Sequence, residues 1–175
     1  LRASSIGLGI ALVAAQKANI PVTLVDSSQA ALDKGLAFEV RENCHLLILS
    51  ILYQHHELSS VLACRKEKLL AKDVSKERIT QEQADAARAL LQPTTSIEKL
   101  DDVDFVVEAV PEIPELKFDI FAKLAQICPK HAILATNTSS ISITRIAAAT
   151  TGGNPNDTSN SSRVVSTHFM NPVPV

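Results

Sequence analysis

The second half of the chain alternates between strand-like and helix-like segments, and this order constrains the fold more than any other feature. Residues 104–110 (DFVVEAV) read as a buried strand, 114–128 (PELKFDIFAKLAQIC) as an amphipathic helix, and 132–140 (AILATNTSS) as a strand that runs into a polar turn. A short helix at 141–150 and a last strand at 163–169 follow. Strands separated by helices of this length predict βαβ units, and therefore an α/β protein with a parallel sheet and helices on both faces.

The first half carries weaker signals of the same kind. Small residues after Ile6 predict a helix, residues 21–26 (PVTLVD) predict a buried strand ending in an acid, and residues 94–97 (TTSI) predict another short strand. Residues 80–92 begin with a capping box, Thr80 with Gln83, and predict a second helix that ends before a proline.

Residues 39–68 do not follow this rhythm. They contain three of the five histidines and two of the three cysteines, and without them two helical segments would join into one hairpin. We interpret 39–68 as a disordered or irregular insertion. A metal site is the alternative, because the segment offers Cys and His ligands, listed here by position: Cys44, His45, His55, His56 and Cys64. No C-x-x-C or H-x-x-x-H spacing supports it, so we expect no metal.

Composition excludes several classes of function. The 175 residues are 46% hydrophobic, enough for the core of one domain, and the net charge of −2 offers no basic surface for nucleic acid. No apolar run approaches the roughly 18 residues that a membrane span needs. An odd number of widely spaced cysteines argues against a disulfide framework and favours a reducing, intracellular compartment, with mitochondrion, peroxisome and cytosol all left open.

Gly7 is placed where a dinucleotide-binding turn has its third glycine, which allows a helix to pack closely on a strand. The two earlier glycine positions fall on Arg2 and Ser4, so the phosphate-binding turn is damaged. Close helix packing for purely structural reasons is an equally good explanation of Gly7. Asp26 strengthens the dinucleotide interpretation, because an acid at the end of the following strand can bind the ribose hydroxyls of NAD.

Three segments in this order, DFVVEAVPEIPELKFDIF, ATNTSSISIT and STHFMNPVPV, resemble the NAD-binding domain of L-3-hydroxyacyl-CoA dehydrogenases, including the 3-hydroxybutyryl-CoA enzymes. The resemblance covers about residues 6–38 and 69–175. It implies a Rossmann-type doubly wound sheet, NAD as cofactor, an acyl-CoA substrate and a homodimer. Another NAD-dependent dehydrogenase of the same fold is a minor alternative, because it would lack the H-F-x-N-P block.

The resemblance implies three catalytic residues. His168 matches the base that accepts the 3-hydroxyl proton while hydride leaves C3, a role that suits an imidazole because it titrates near neutrality. Ser139 and Asn171 match polar residues at the substrate oxygen, and Lys76 matches a lysine near the CoA phosphates.

The same resemblance implies a set of cofactor-binding residues. Asp26 matches the acid on the adenosine ribose, and Asn137 belongs to the same turn as the catalytic serine. The full predicted set is Gly7, Asp26, Glu112, Lys117 and Asn137.

The chain also departs from the family pattern. We expect a first strand to be missing, which leaves the strands ending near Asp26 and Val110 without their common neighbour and their backbone groups in need of another partner. We expect residues 1–175 to be a partial NAD-binding domain, without the C-terminal helical domain that closes the cleft and forms the dimer. NAD binding and turnover should therefore be impaired, and a noncatalytic remnant is the second hypothesis.

Overall fold

A computed structural model describes residues 3–25, 48–51, 70–152, 154 and 156–170, and within them a six-stranded sheet lies between two layers of helices. The strands are β1 (Val22–Val25), β2 (Ile48–Ile51), β3 (Leu91–Thr94), β4 (Phe105–Glu108), β5 (Ile133–Thr136) and β6 (Val164–Ser166). The helices are α1 (Ala3–Lys17), α2 (Gln81–Leu90), α3 (Pro114–Ile127) and α4 (Ile143–Ala149), and residues 70–75 are helical as well.

The sheet has the order β3-β1-β2-β4-β5-β6. β1 pairs with β3, β4 with β5, and β5 with β6, all in parallel, which confirms the α/β class with a parallel sheet and helices. Successive side chains of β4 face opposite layers: Val106 packs with α3 and α4, whereas Val107 packs with α1 and α2. Helices therefore cover both faces, as predicted.

β2 occupies the position between β1 and β4 where we expected a missing neighbour, and it runs antiparallel to both. Ile48 lies opposite Val25 and Glu108, so both strands have a partner along four residues. The physical reason is that the two inner strand edges present unpaired backbone groups, which are costly to bury. Residues 48–51 belong to the segment that we interpreted as an insertion, and the remaining residues of 39–68 lie outside the described part.

One strand lies elsewhere than predicted. The sequence predicted a strand at residues 94–97, but β3 covers Leu91–Thr94 and a short 3-10 helix covers Ile97–Leu100. The helix that was predicted over residues 80–92 ends at Leu90, and Leu91 has an extended backbone conformation. Pro93 is tolerated inside β3 because this strand lies at the edge of the sheet that the described residues form, with β1 as its neighbour there. The capping box of Thr80 with Gln83 is present.

Candidate active site

The carboxyl ends of β4, β5 and β6 lie side by side and carry most of the predicted site. Glu108 is in register with Thr136, and Thr136 with Ser166, so the loops that follow these strands leave the sheet at one level. In parallel α/β sheets, ligands bind in the crevice outside this edge. Residues of all three loops are joined by hydrogen bonds.

A buried ion pair lies beneath the loops. The Lys117 ammonium donates to both carboxylate oxygens of Glu108, at 2.7 and 2.8 Å, and both side chains are 0% exposed. Glu108 also accepts hydrogen bonds from Thr136 Oγ1 at 2.7 Å and from the Val110 N–H at 2.5 Å. The carboxylate is thus fully bonded, as a buried charge must be.

Glu112 connects this pair with the β5 loop. Its Oε2 lies 3.4 Å from Lys117 Nζ, and its Oε1 accepts from the Ser139 N–H at 3.2 Å. Ser140 donates to the same oxygen through its N–H at 3.2 Å and its hydroxyl at 2.9 Å, and Thr138 donates through its hydroxyl. Burial raises the pKa of Glu112, but the hydrogen bonds from Thr138 and Ser140, together with the Lys117 charge, outweigh it and lower the pKa to about 2.

His168 follows β6, and the backbone on both sides of it is tied to β5. The Thr167 N–H donates to the Thr136 carbonyl at 2.9 Å, and the Phe169 N–H donates to Asn137 Oδ1 at 2.8 Å. The His168 side chain is exposed. The β5 loop therefore holds the residues on either side of the histidine.

Five predicted site residues are brought to this edge: Glu112, Lys117, Asn137, Ser139 and His168. Gly7 is buried within α1. Lys76 is exposed in the turn before α2. Asp26 and Asn171 lie outside the described residues.

Sequence reasoning missed Glu108, Thr138 and the buried Thr136. The signal was present for Glu108, because an acid inside the otherwise apolar run DFVVEAV needs a partner if the strand is buried. Its partner nine residues later was identified only for a possible cofactor contact. The five candidate metal ligands of the insertion fall on undescribed positions, and the described residues contain no cluster of three or more His, Cys, Asp or Glu side chains suited to a metal.

The chain matches a known protein family, curated relatives and solved structures. Residues 50–175 match the family described as "3-hydroxyacyl-CoA dehydrogenase, NAD binding domain". A probable 3-hydroxybutyryl-CoA dehydrogenase of Bacillus subtilis is 39% identical over 111 residues, which are 63% of this chain and 36% of that protein. A 3-hydroxyadipyl-CoA dehydrogenase of Escherichia coli is 42% identical over 102 residues, 58% of this chain and 20% of the relative.

A solved structure extends the likeness to nearly the whole chain. The crystal structure of 3-hydroxybutyryl-CoA dehydrogenase from Escherichia coli K12 superposes with a TM-score of 0.72 at 32% identity, covering 99% of this chain and 29% of that one. The chain thus spans well under half the length of these relatives. None of the helices in the described ranges is long and apolar enough to cross a membrane.

Proposed function

Because the chain belongs to the 3-hydroxyacyl-CoA dehydrogenase NAD-binding domain family, we propose that its site serves the NAD-dependent oxidation of an L-3-hydroxyacyl-CoA to the 3-oxoacyl-CoA. Bound NAD supplies the acceptor for the hydride that leaves C3. This chemistry belongs to fatty-acid β-oxidation or short-chain acyl-CoA metabolism. The proposal includes an acyl-CoA substrate, the homodimer of the family and an intracellular location, with mitochondrion, peroxisome and cytosol left open.

His168 is the proposed general base. Its imidazole accepts the proton of the 3-hydroxyl group as the neighbouring carbon loses hydride, and it returns the proton in the reverse reaction. Ser139 donates a hydrogen bond to the same substrate oxygen. Asn171 and Lys76 are proposed contacts to the substrate oxygen and to the CoA phosphates.

The observation that supports this assignment is the way the loops are held. Glu112 fixes the backbone of Ser139, and Asn137 fixes the backbone of Phe169 beside His168. The Ser139 hydroxyl has no hydrogen bond to any other described residue, while the hydroxyls of Thr138 and Ser140 are both bound to Glu112. Ser139 and His168 are both exposed, so each presents a free polar group from a fixed backbone.

The residues present fit the nicotinamide end of NAD better than the pyrophosphate end. Glu112 is partly exposed at the carboxyl edge, next to the exposed Ser139. At the pyrophosphate end, Gly7 lies inside α1, where Ala3–Lys17 are helical. Gly7 and Asp26 remain proposed contacts to the dinucleotide.

This difference supports a second candidate, a domain that keeps the fold but binds NAD too weakly for turnover. The specific observation is the direction of β2: its amino end, Ile48, lies at the edge where the strand before a phosphate-binding turn would end. Calorimetric titration of the full chain with NAD separates the two candidates. Saturable binding supports the dehydrogenase site, and no detectable binding supports the remnant.

Catalytic competence is tested by transferring residues 105–175 into the matching segment of the Bacillus subtilis relative. We expect the chimera to form NADH from L-3-hydroxybutyryl-CoA, measured by absorbance. His168→Gln in the chimera should reduce kcat by about 10² to 10⁴, the usual contribution of a general base. His131→Gln is the matched control, because His131 is exposed and its ring pairs with Asp104, at 2.9 Å, within the described part of the chain. Full activity of the His168→Gln chimera would refute the assignment.

A further inference from the structure

The buried pair of Glu108 and Lys117 raises the question of what an ion pair does inside an apolar core. Removing two charges from water is expensive, and a well-packed apolar pair of similar size is often equally stable. Lys117 is 0% exposed and lies on α3 among buried residues such as Phe121. Stability by itself therefore does not explain why a charged pair occupies this place.

The position of the Lys117 ammonium offers an explanation. Its nitrogen donates to Glu108 and lies 3.5 Å from the Val110 carbonyl oxygen, all of which belong to β4 or to the residues directly after it. The same nitrogen lies 3.4 Å from Oε2 of Glu112, whose side chain is 38% exposed. The buried cation thus reaches from the rigid sheet to a carboxylate at the surface.

The two oxygens of Glu112 have separate partners. Oε2 faces the Lys117 ammonium, whereas Oε1 accepts the four hydrogen bonds that residues 138–140 donate to Glu112, from two N–H groups and two hydroxyls. If the Glu112 carboxylate rotated freely, its two oxygens would exchange places and would no longer have separate partners. A cation fixed on one side orients the other oxygen towards the loop, and charge-assisted bonds of this kind are about twice as strong as neutral ones.

We propose that Glu108 and Lys117 are positioning residues: Glu108 holds the Lys117 ammonium, the ammonium orients Glu112, and Glu112 holds the loop 138–140 so that the Ser139 hydroxyl stays free for a ligand. In this proposal Lys117 acts on the site through Glu112, and its predicted contact with the cofactor stays a separate prediction. The consequence for Ser139 as a substrate contact rests on the proposed function. The ordering of the loop does not.

A double substitution separates positioning from stability. Glu108→Gln with Lys117→Met removes both buried charges and keeps the volume, so the urea midpoint should stay close to that of the unchanged protein. Lys117→Met alone leaves the Glu108 carboxylate buried without its cation and should unfold at much lower urea. Lys123→Met, at an exposed lysine of the same helix, is the matched control.

The loop is then measured by NMR on the full chain without NAD. In the folded double variant we expect amide hydrogen exchange at Ser139 and Ser140 to accelerate by about tenfold or more, and the Glu112 carboxyl to titrate at higher pH than in the unchanged protein. A double variant with unchanged exchange at both serines and unchanged titration of Glu112 would overturn the proposal.

A measurement on the unchanged protein covers the case in which the double variant does not fold. The Nζ signal of Lys117 should shift as Glu112 is protonated near its pKa of about 2, because the ammonium loses a charged partner 3.4 Å away. If the Lys117 Nζ signal does not shift during this titration while the signals of the folded protein persist, the proposed coupling between Lys117 and Glu112 is refuted.

NAD titration of the same variants distinguishes this proposal from the function on which it partly rests. If the unchanged chain binds NAD, the double variant should bind it at least about tenfold more weakly, with the Lys123→Met control unaffected. Equal affinity in the double variant and the unchanged chain would contradict the coupling to the site. If no variant binds NAD, the proposed function fails, and the exchange and titration results still decide the positioning role.

Discussion

The two helical layers differ in how many hydrogen-bond partners their buried polar side chains have. On the side of α3 and α4, Arg163 donates to three backbone carbonyls, those of Pro129, Ala132 and Ala125, at 2.6, 3.2 and 3.1 Å. On the side of α1, both amide atoms of Gln16 are buried and have no hydrogen-bond partner within the described ranges. Arg163 thus leaves only its Nε without a partner among the described residues, whereas Gln16 leaves both amide atoms unpaired.

The two regions also differ in the order and direction of their neighbouring strands. The strands β4, β5 and β6 are neighbours in both sequence and space, joined through α3 and α4. β1 has β3 as its parallel neighbour and the antiparallel β2 on its other side. The comparison teaches that the proposed active site lies in the part of the fold whose strands follow one another along the chain and whose buried arginine is bonded to three carbonyl oxygens. Four experiments can break or sharpen this comparison.

Arg163→Met should have the largest effect. Burial lowers the pKa of Arg163, so its charge is costly to keep there, yet its loss would remove a donor from three carbonyl oxygens. Of these, only that of Pro129 keeps another donor in the part of the chain that the structure describes, the Ala132 N–H at 3.0 Å. Each unsatisfied buried acceptor costs about 1 to 3 kcal/mol, and we expect a net loss of about 3 kcal/mol in the free energy of unfolding. Urea unfolding measures it, with Arg145→Met as control, because Arg145 is exposed and only stacks over Phe118. Equal effects of the two substitutions would remove the contrast.

Ser50→Pro tests whether β2 holds its central position. Ser50 lies opposite both Thr23 and Val106, and a proline there removes a backbone donor and disturbs a strand with neighbours on both sides. We expect a loss of about 2 kcal/mol, the cost of one ladder bond and local strain. Ser50→Thr keeps the N–H group and should be nearly neutral. A Ser50→Pro protein as stable as Ser50→Thr would show that this strand adds nothing to the sheet.

Gln16→Met should stabilise the protein. The substitution replaces two buried, unpaired amide atoms by a thioether of similar length, which removes a desolvation cost without leaving a cavity. The expected gain is about 1 kcal/mol, seen as a higher thermal midpoint. Gln126→Met, at an exposed glutamine of α3, is the control and should change little. A destabilised Gln16→Met variant would indicate that this amide is paired after all.

The smallest effect concerns pH. Since the folded pKa of Glu112 is about 2 and its usual value is 4.5, the carboxylate contributes stability that is fully present above pH 4.5 and is lost as the pH falls towards 2. Partial exposure of Glu112 limits the size of this contribution through solvent screening. Glu112→Gln should flatten the fall of the thermal midpoint over this range. An identical acid profile in both proteins would contradict the assignment.

The second half was predictable because its signals are local. The helix beginning at Pro114 and the strand before it appear where the alternation placed them, and the predicted site residues Glu112, Asn137 and Ser139 follow strand ends that parallel topology brings together. The roles of these residues, and of His168, stay predictions, because their support is the geometry of the loops and the family.

The first half was less predictable, for a physical reason. The apolar run that contains Ile48–Ile51 has no period that distinguishes a buried strand from an irregular segment, so nothing local indicated where it would pair. The shift of β3 to Leu91–Thr94 has a similar origin, since an edge strand accepts Pro93 where sequence rules place a boundary.

By itself, the sequence determined the α/β class and the parallel order of β4, β5 and β6, because hydrophobic periodicity and the handedness of βαβ units are local properties. Only the tertiary structure decided that β2 would fill the gap between β1 and β4 and that Lys117 would be buried between Glu108 and Glu112. The first depends on backbone groups whose partners lie far along the chain, and the second on charged groups that are close in sequence but meet only when the strand and the helix pack together. No sequence period records either pairing.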